Sequence, residues 1–168
     1  QAVDFATNPS DGHFIAYLSG AMFRRGLFVG KSAGGGYVED VQFNPHYMAR
    51  TPKDLPHVPG DFGGVINYQR EHLDGIVFTD CSKEKVVGTF LYAARDGIAF
   101  HGKTDADVLI HGTDAASRAF VLDTAKGSRV NVALAQLVTL GDWAEGAIIA
   151  TPGDYGDSVF AASQFWPD

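Results

Sequence analysis

Short apolar runs, punctuated by Gly and Asp, recur along this chain at a fixed interval. Asp74-Gly75-Ile76-Val77-Phe78 returns 22 residues later as Asp96-Gly97-Ile98-Ala99-Phe100, and more loosely after another 22 as Ala119-Phe120-Val121-Leu122. A second series keeps step, with Lys85 to Phe90, Asp107 to Gly112 and Arg129 to Leu134 again beginning 22 apart. With insertions, the first series extends back to Gly26–Val29 and forward to Gly146–Ile149, the second back to Glu39–Phe43 and forward to Ser158–Ala162. Runs rich in Val, Ile, Phe and Thr between turn residues predict strands over 75–79, 97–101 and 119–123, and over 85–90, 107–112 and 129–134. Val86, Val108 and Val130 should then stack inside. A period in the twenties built from strands and tight turns predicts an all-β solenoid whose coils lie strand on strand. A leucine-rich repeat has a similar period, but its L-x-x-L-x-L-x-x-N spacing is absent.

Composition sharpens this picture. Sixteen of the twenty acidic residues are Asp, and Gly reaches 20, a balance that favours turns over helices. A chain of 168 residues, 45% hydrophobic, reads as one domain over 1–168 that needs no disulfide or structural zinc to hold its core. The lone Cys81 could supply neither, and as a residue beside Asp80 it reads as buried rather than nucleophilic. No Cys pair, HExxH or EF-hand spacing calls for a metal, and no cofactor motif is present. Gly34-Gly35-Gly36 reads as a turn, because no Gly-Lys-Ser/Thr signature follows it. The net charge of −7 disfavours nucleic acid and leaves no polybasic membrane patch. No apolar run approaches the roughly 18 residues of a spanning helix.

The repeat, from about Gly26 to Trp166, resembles the right-handed parallel β-helix proteins of the pectate-lyase-like superfamily. The segments Gly36 to Tyr47 and His111-Gly112-Thr113-Asp114 are similar to stretches in bacterial β-helix proteins classed with glycoside hydrolases. The resemblance implies a right-handed parallel β-helix acting on carbohydrate, in a secreted or extracellular setting. β-Helices also serve as adhesins, tailspikes and scaffolds, so a non-catalytic glycan-binding or structural module stands beside the enzyme readings. Among enzymes, a polysaccharide lyase would be expected to carry a basic groove, and the acidic balance favours neutral sugars and a hydrolase.

One excursion, 45–74, interrupts the coils and holds four of the seven prolines. A loop of that length on a compact solenoid suggests a functional role, with capping or packing as the alternative. Tyr and His rings can stack on pyranose faces while Arg and acidic groups bond hydroxyls. His46, Tyr47, His57, Asp61, Tyr68, Arg70 and Glu71 are therefore candidate substrate-binding residues.

The period also aligns columns of residues. One should hold Gly30, Thr79, His101, Asp123 and Ala150, and the next Lys31, Asp80, Gly102, Thr124 and Thr151. Lys31, Asp80, His101 and Asp123 would share one edge, with the two carboxylates two coils, roughly 10 Å, apart. Glycoside hydrolysis needs one carboxyl to protonate the leaving oxygen and another to activate water. Asp80 as base, Asp123 as acid and His101 beside them form a candidate catalytic group with Lys31 as a substrate ligand, and the 45–74 excursion should face it. Asp that merely caps strand-end turns and pairs with Lys fits the same pattern. On the second series, Gln42, Thr89, His111 and Ala133 should form an outward column, where Gln42 and His111 could bond a sugar; as an ordinary polar flank, the same column makes His111 a surface or turn-bonded histidine.

The expected function is hydrolysis of a neutral poly- or oligosaccharide by paired carboxylates. The chain has room for five or six coils and shows no amphipathic capping helix at either end, as in a fragment lacking its end caps. Exposed solenoid ends should drive homo-oligomer formation or association with flanking polypeptide.

Overall fold

The computed structural model describes residues 2–49, 62–139, 141–151 and 157–167. Its strands stack as a parallel β-solenoid of about 6 turns with about 24 residues per turn, 55% strand and 10% helix, so the Asp- and Gly-rich composition did forecast a strand-built chain. Sheet A takes one strand from each coil: β1 (Val3–Phe5), β4 (Arg25–Gly30), β7 (Asp74–Thr79), β9 (Asp96–Gly102), β11 (Arg118–Thr124) and β13 (Gly146–Ala150). Sheet B takes the segment that follows: β2 (Phe14–Ala16) with β3 (Ser19–Gly20), β5 (Gly36–Glu39) with β6 (Gln42–Phe43), then β8 (Glu84–Tyr92), β10 (Asp105–Asp114), β12 (Arg129–Thr139), and last β14 (Val159–Ala161) with β15 (Gln164–Pro167).

The core lies between the two sheets and is made of columns. Leu27, Ile76, Ile98, Phe120 and Ile148 are successive register partners, as are Val29, Phe78, Phe100 and Leu122. The Phe78 and Phe100 rings stack 5.3 Å apart, and Phe100 lies 5.5 Å from Phe120. Glycines near the start of sheet A strands let sheet B side chains of the same coil close in: a Cβ on Gly26 would meet the Phe43 ring at 2.4 Å, and one on Gly97 the Thr113 side chain at 2.8 Å.

Sheet B bends in every coil at one register position. Tyr17, Asp40, Gly88, Ile110, Leu134 and Ala162 each follow a residue of one pairing column, and all have φ between 47° and 65°. A left-handed residue breaks the in–out alternation of a strand, so residues on both sides of it can face the core. The expected outward column is corrected for that reason. Gln42 pairs with Phe90, whereas Thr89 and His111 pair with one another and, with Ala135, point inward; His111 is 2% exposed.

Two register assignments also change. Asp107 pairs Lys85, as the 22-residue step requires, but it pairs Asn131 on the other side, a step of 24. Val132, not Val130, continues the column of Val38, Val86 and Val108, while Val130 stacks on Ala106. The extra two residues fall in the turn before β12, where Ser128 Oγ accepts the Thr104 N–H. Val alternates at 130 and 132, so a slip of two preserves the buried face and leaves no trace in the hydropathy pattern. Ala150 pairs Leu122 rather than Asp123.

The excursion is not a plain loop. It contains the short α1 (His46–Ala49) and the eleven-residue α2 (Phe62–His72), which leads directly into β7. Leu73 at the end of α2 is buried with Ala94 and Ala116. Gln69 is wholly buried and its amide donates to the Met22 carbonyl, while Ser117 Oγ donates to the Arg70 carbonyl. These contacts fix α2 across the corner where sheet B returns to sheet A.

Candidate functional site

Lys31, Asp80, His101 and Asp123 do share the C-terminal edge of sheet A. Thr79 pairs His101, His101 pairs Asp123, and Lys31 and Asp80 follow in the adjoining column. His101 Nδ1 lies 3.2 Å from Asp123 Oδ2, with Asp123 half exposed. Asp80 has φ 53° and its Oδ1 accepts the Lys103 N–H at 3.0 Å, closing the turn of the next coil; a Cβ on Gly102 would lie 2.3 Å from that oxygen. Turn closure thus occupies one oxygen of Asp80. Lys31, also left-handed at φ 56°, is exposed.

The expected meeting of this edge with the excursion does not occur for the described residues. α2 precedes β7, so it stands at the N-terminal end of the sheet A strands, six or seven residues, or roughly 20 Å, from the Asp80 edge. His57 and Asp61 lie outside the described residues. The 22-residue stacking aligned coils correctly, but it could not say at which corner an insertion sits relative to a strand end.

His46 and Tyr47 line a pocket of about 350 Å³ with Gln42, Asn44 and Tyr92. The His46 ring meets Phe62 and Tyr92 edge-on, with centroids 4.9 and 5.0 Å away, and its Nδ1 lies 2.7 Å from Asn44 Oδ1. Tyr47 Oη donates to Gln42 Oε1 at 2.6 Å, leaving the amide NH₂ of Gln42 as a donor for another group. A second pocket of about 350 Å³, lined by Tyr17, Asp40, Gly88 and Phe90, shares Gln42 with the first. Together they form a groove along the outer surface of sheet B, from the left-handed bend to α1. Phe90 lies in the repeat and Asn44 in the Gly36 to Tyr47 segment, but neither they nor Tyr17 and Tyr92 carried a binding signal, and only their outward parity on the bent strand could have identified them.

Arg70 and Glu71 lie elsewhere, on the other flank of α2, in a pocket of about 470 Å³ with Asn67, Arg95, Ser117, Trp143 and Glu145. The Arg70 guanidinium sits 3.8 Å over the Trp143 ring, and burial lowers its pKa from the ordinary arginine value. Around it, Arg95 pairs with Asp74, and Arg118 binds Asp96 through Nε at 2.5 Å and Nη2 at 2.9 Å. Burial raises the Asp74 carboxyl above the ordinary range, with Arg95 opposing. The Tyr68 hydroxyl accepts from Arg24 Nε at 2.6 Å and its ring meets Phe23 edge-on. Cys81 is buried, its thiol pushed up to about 11 chiefly by burial, which removes it as a nucleophile. Among the described residues no group of three or more His, Cys, Asp or Glu could hold a metal ion, and no helix is long and apolar enough to cross a membrane. No protein-family model matches this chain, and neither a curated protein nor a solved structure matches it.

Proposed function

We propose that this chain is a β-helix module that binds a neutral poly- or oligosaccharide in the outer groove of sheet B. The observation that carries the reading is the composition of that groove: Tyr17, Phe90, Tyr47 and Tyr92 beside Asp40, Gln42 and Asn44, in two adjoining pockets. Aromatic rings offer flat apolar faces to sugar rings, amides and a carboxylate bond their hydroxyls, and a concave site with few polar groups is the usual form of a ligand site. A secreted or extracellular setting belongs to the same proposal.

Hydrolysis is a second reading, favoured by the His101–Asp123 pair with Asp80 one coil away on the same exposed edge. A glycan array probed with the labelled full chain tests the first reading, and detection of new reducing ends on the glycans retained tests the second. Binding weakened tenfold or more by Gln42→Ala or Tyr92→Ala supports the groove. Binding unchanged in both variants, or no glycan retained, overturns it. New reducing ends that vanish in Asp123→Asn would assign catalysis to the sheet A edge.

A further inference from the structure

The inner column that opens sheet B runs His13, Gly36, Glu84, Ala106, Val130. Two of its members form an ion pair inside the core, His13 Nε2 to Glu84 Oε2 at 3.2 Å, with side chains 1% and 0% exposed. They belong to the first and third coils. The second coil contributes only Gly36, where a Cβ would lie 2.0 Å from the His13 ring, so the imidazole fills the space above Gly36 and reaches across a whole coil. The other ring nitrogen, Nδ1, lies 3.1 Å from the Ser10 carbonyl oxygen. Nδ1 thus faces an acceptor and Nε2 faces the Glu84 carboxyl group, so with Glu84 ionised the doubly protonated ring suits both contacts and a neutral tautomer suits only one.

The surroundings offer little else to balance Glu84. Among the described residues neither of its oxygens has a hydrogen-bond partner. The Phe5 ring of β1 lies 5.6 Å from His13, and the Ser32 and Cys81 side chains, from the turns before β5 and β8, are buried. Asp11, in the turn of His13 itself, is occupied by the Ala33 and Gly34 N–H groups, and Lys83 and Lys85 on either side of Glu84 are exposed. The Glu84 carboxylate holds His13 above the ordinary imidazole range, with burial opposing and the Ser10 carbonyl assisting.

We propose that the His13–Glu84 pair is a proton-operated latch on the first coil. With the imidazolium in place, β1, β2 and β3 stay zipped to the second coil. When the proton leaves, a buried carboxylate faces a neutral ring, and the first coil loosens and uncovers β4 and β5 as strand edges. The sign follows from the raised value: the latch contributes fully below about pH 6.5 and is lost as pH rises through the higher native value.

Hydrogen exchange of the full chain at pH 6 and pH 9.5, read by mass spectrometry and normalised to intrinsic rates, tests this. Protection within 2–20 should fall at least tenfold further than protection within 96–139. Glu84→Gln, which removes the buried anion, should abolish the differential loss, and so should the double variant His13→Leu/Glu84→Leu. Equal protection of 2–20 at both pH values overturns the latch, as does a Glu84→Gln chain that loosens like the wild type.

Discussion

Acid should destabilise this protein through a single ring in its core. His111 lies between two threonines of its own interior, Nδ1 2.7 Å from Thr89 Oγ1 and Nε2 2.7 Å from Thr113 Oγ1, with the Phe120 ring edge-on at 6.3 Å. Threonine hydroxyls can each donate or accept, so a neutral imidazole is satisfied and a charged one gains no counter-ion. Burial pushes its pKa down to about 4. Unfolded, the same ring titrates near the ordinary value of about 6.5. Between the two values the unfolded chain holds a proton that the folded chain does not. Stability is thus full above about pH 6.5, falls as pH is lowered, and stops falling near pH 4, for a total of about 3 kcal/mol. Urea denaturation at several pH values from 7.5 to 4 should be run on the wild type and on His111→Gln, whose amide can meet both hydroxyls without titrating. The carboxylates and the other histidines act in both chains and cancel in the difference. The wild type should lose ground to the variant by about 1.4 kcal/mol for each pH unit below 6.5. Curves that stay parallel down to pH 4 would refute the reasoning.

Phe100→Ala, which removes the middle ring of the Phe78–Phe100–Phe120 stack, should cost about 3–5 kcal/mol by chemical denaturation, and a loss below 1 kcal/mol would show that the stack relaxes to fill the cavity. If the sheet A edge hydrolyses glycans, Asp80→Asn should cut turnover by about 10² while thermal unfolding shifts little, because an amide oxygen can still accept the Lys103 N–H. Retained turnover would return Asp80 to turn closure alone. Val159, Phe165 and Trp166 of the last coil are each about half exposed, and sedimentation should show concentration-dependent self-association that Phe165→Ser/Trp166→Ser weakens; a monomer at all concentrations would argue against an apolar end contact.

The strands were legible in the sequence because their signal is doubled. Ile76, Ile98 and Phe120 recur at one spacing, and Asp-Gly pairs at 74–75 and 96–97 open the first two of these strands, so composition and period agree on the same segments. What stayed hidden were features that hydropathy does not encode. Ile110 and Leu134 take left-handed conformations that their side chains disfavour, and that bend turned His111 from an apparent surface residue into a core one. α2 escaped notice because Phe62-Gly63-Gly64 opens it with two poor helix formers, and its stability comes from Gln69 and Leu73 seated on the solenoid rather than from propensity. The columns through Asp80 and Asp123 were read correctly as far as β11 and slipped by one residue at β13, where Ala150 pairs Leu122, while the groove depended on knowing which residues face outward beyond the bend.

The corner occupied by the excursion has a practical meaning for rebuilding this protein. Asn44 N–H donates to the Gly20 carbonyl where the insertion leaves, Asp74 N–H donates to the Arg24 carbonyl where it returns, and Gly30 still pairs Thr79 on the far side as though nothing had intervened. The two junctions are therefore anchored four residues apart on the same neighbouring coil, a gap that a tight linker could span. Exchanging the residues between them would cost, besides loop closure, which grows only slowly with length, the Gln69, Arg70 and Leu73 contacts that seat α2 on the solenoid. A foreign domain with neighbouring termini could be grafted at this port, whereas one residue added inside a strand would turn every side chain after it to the opposite face.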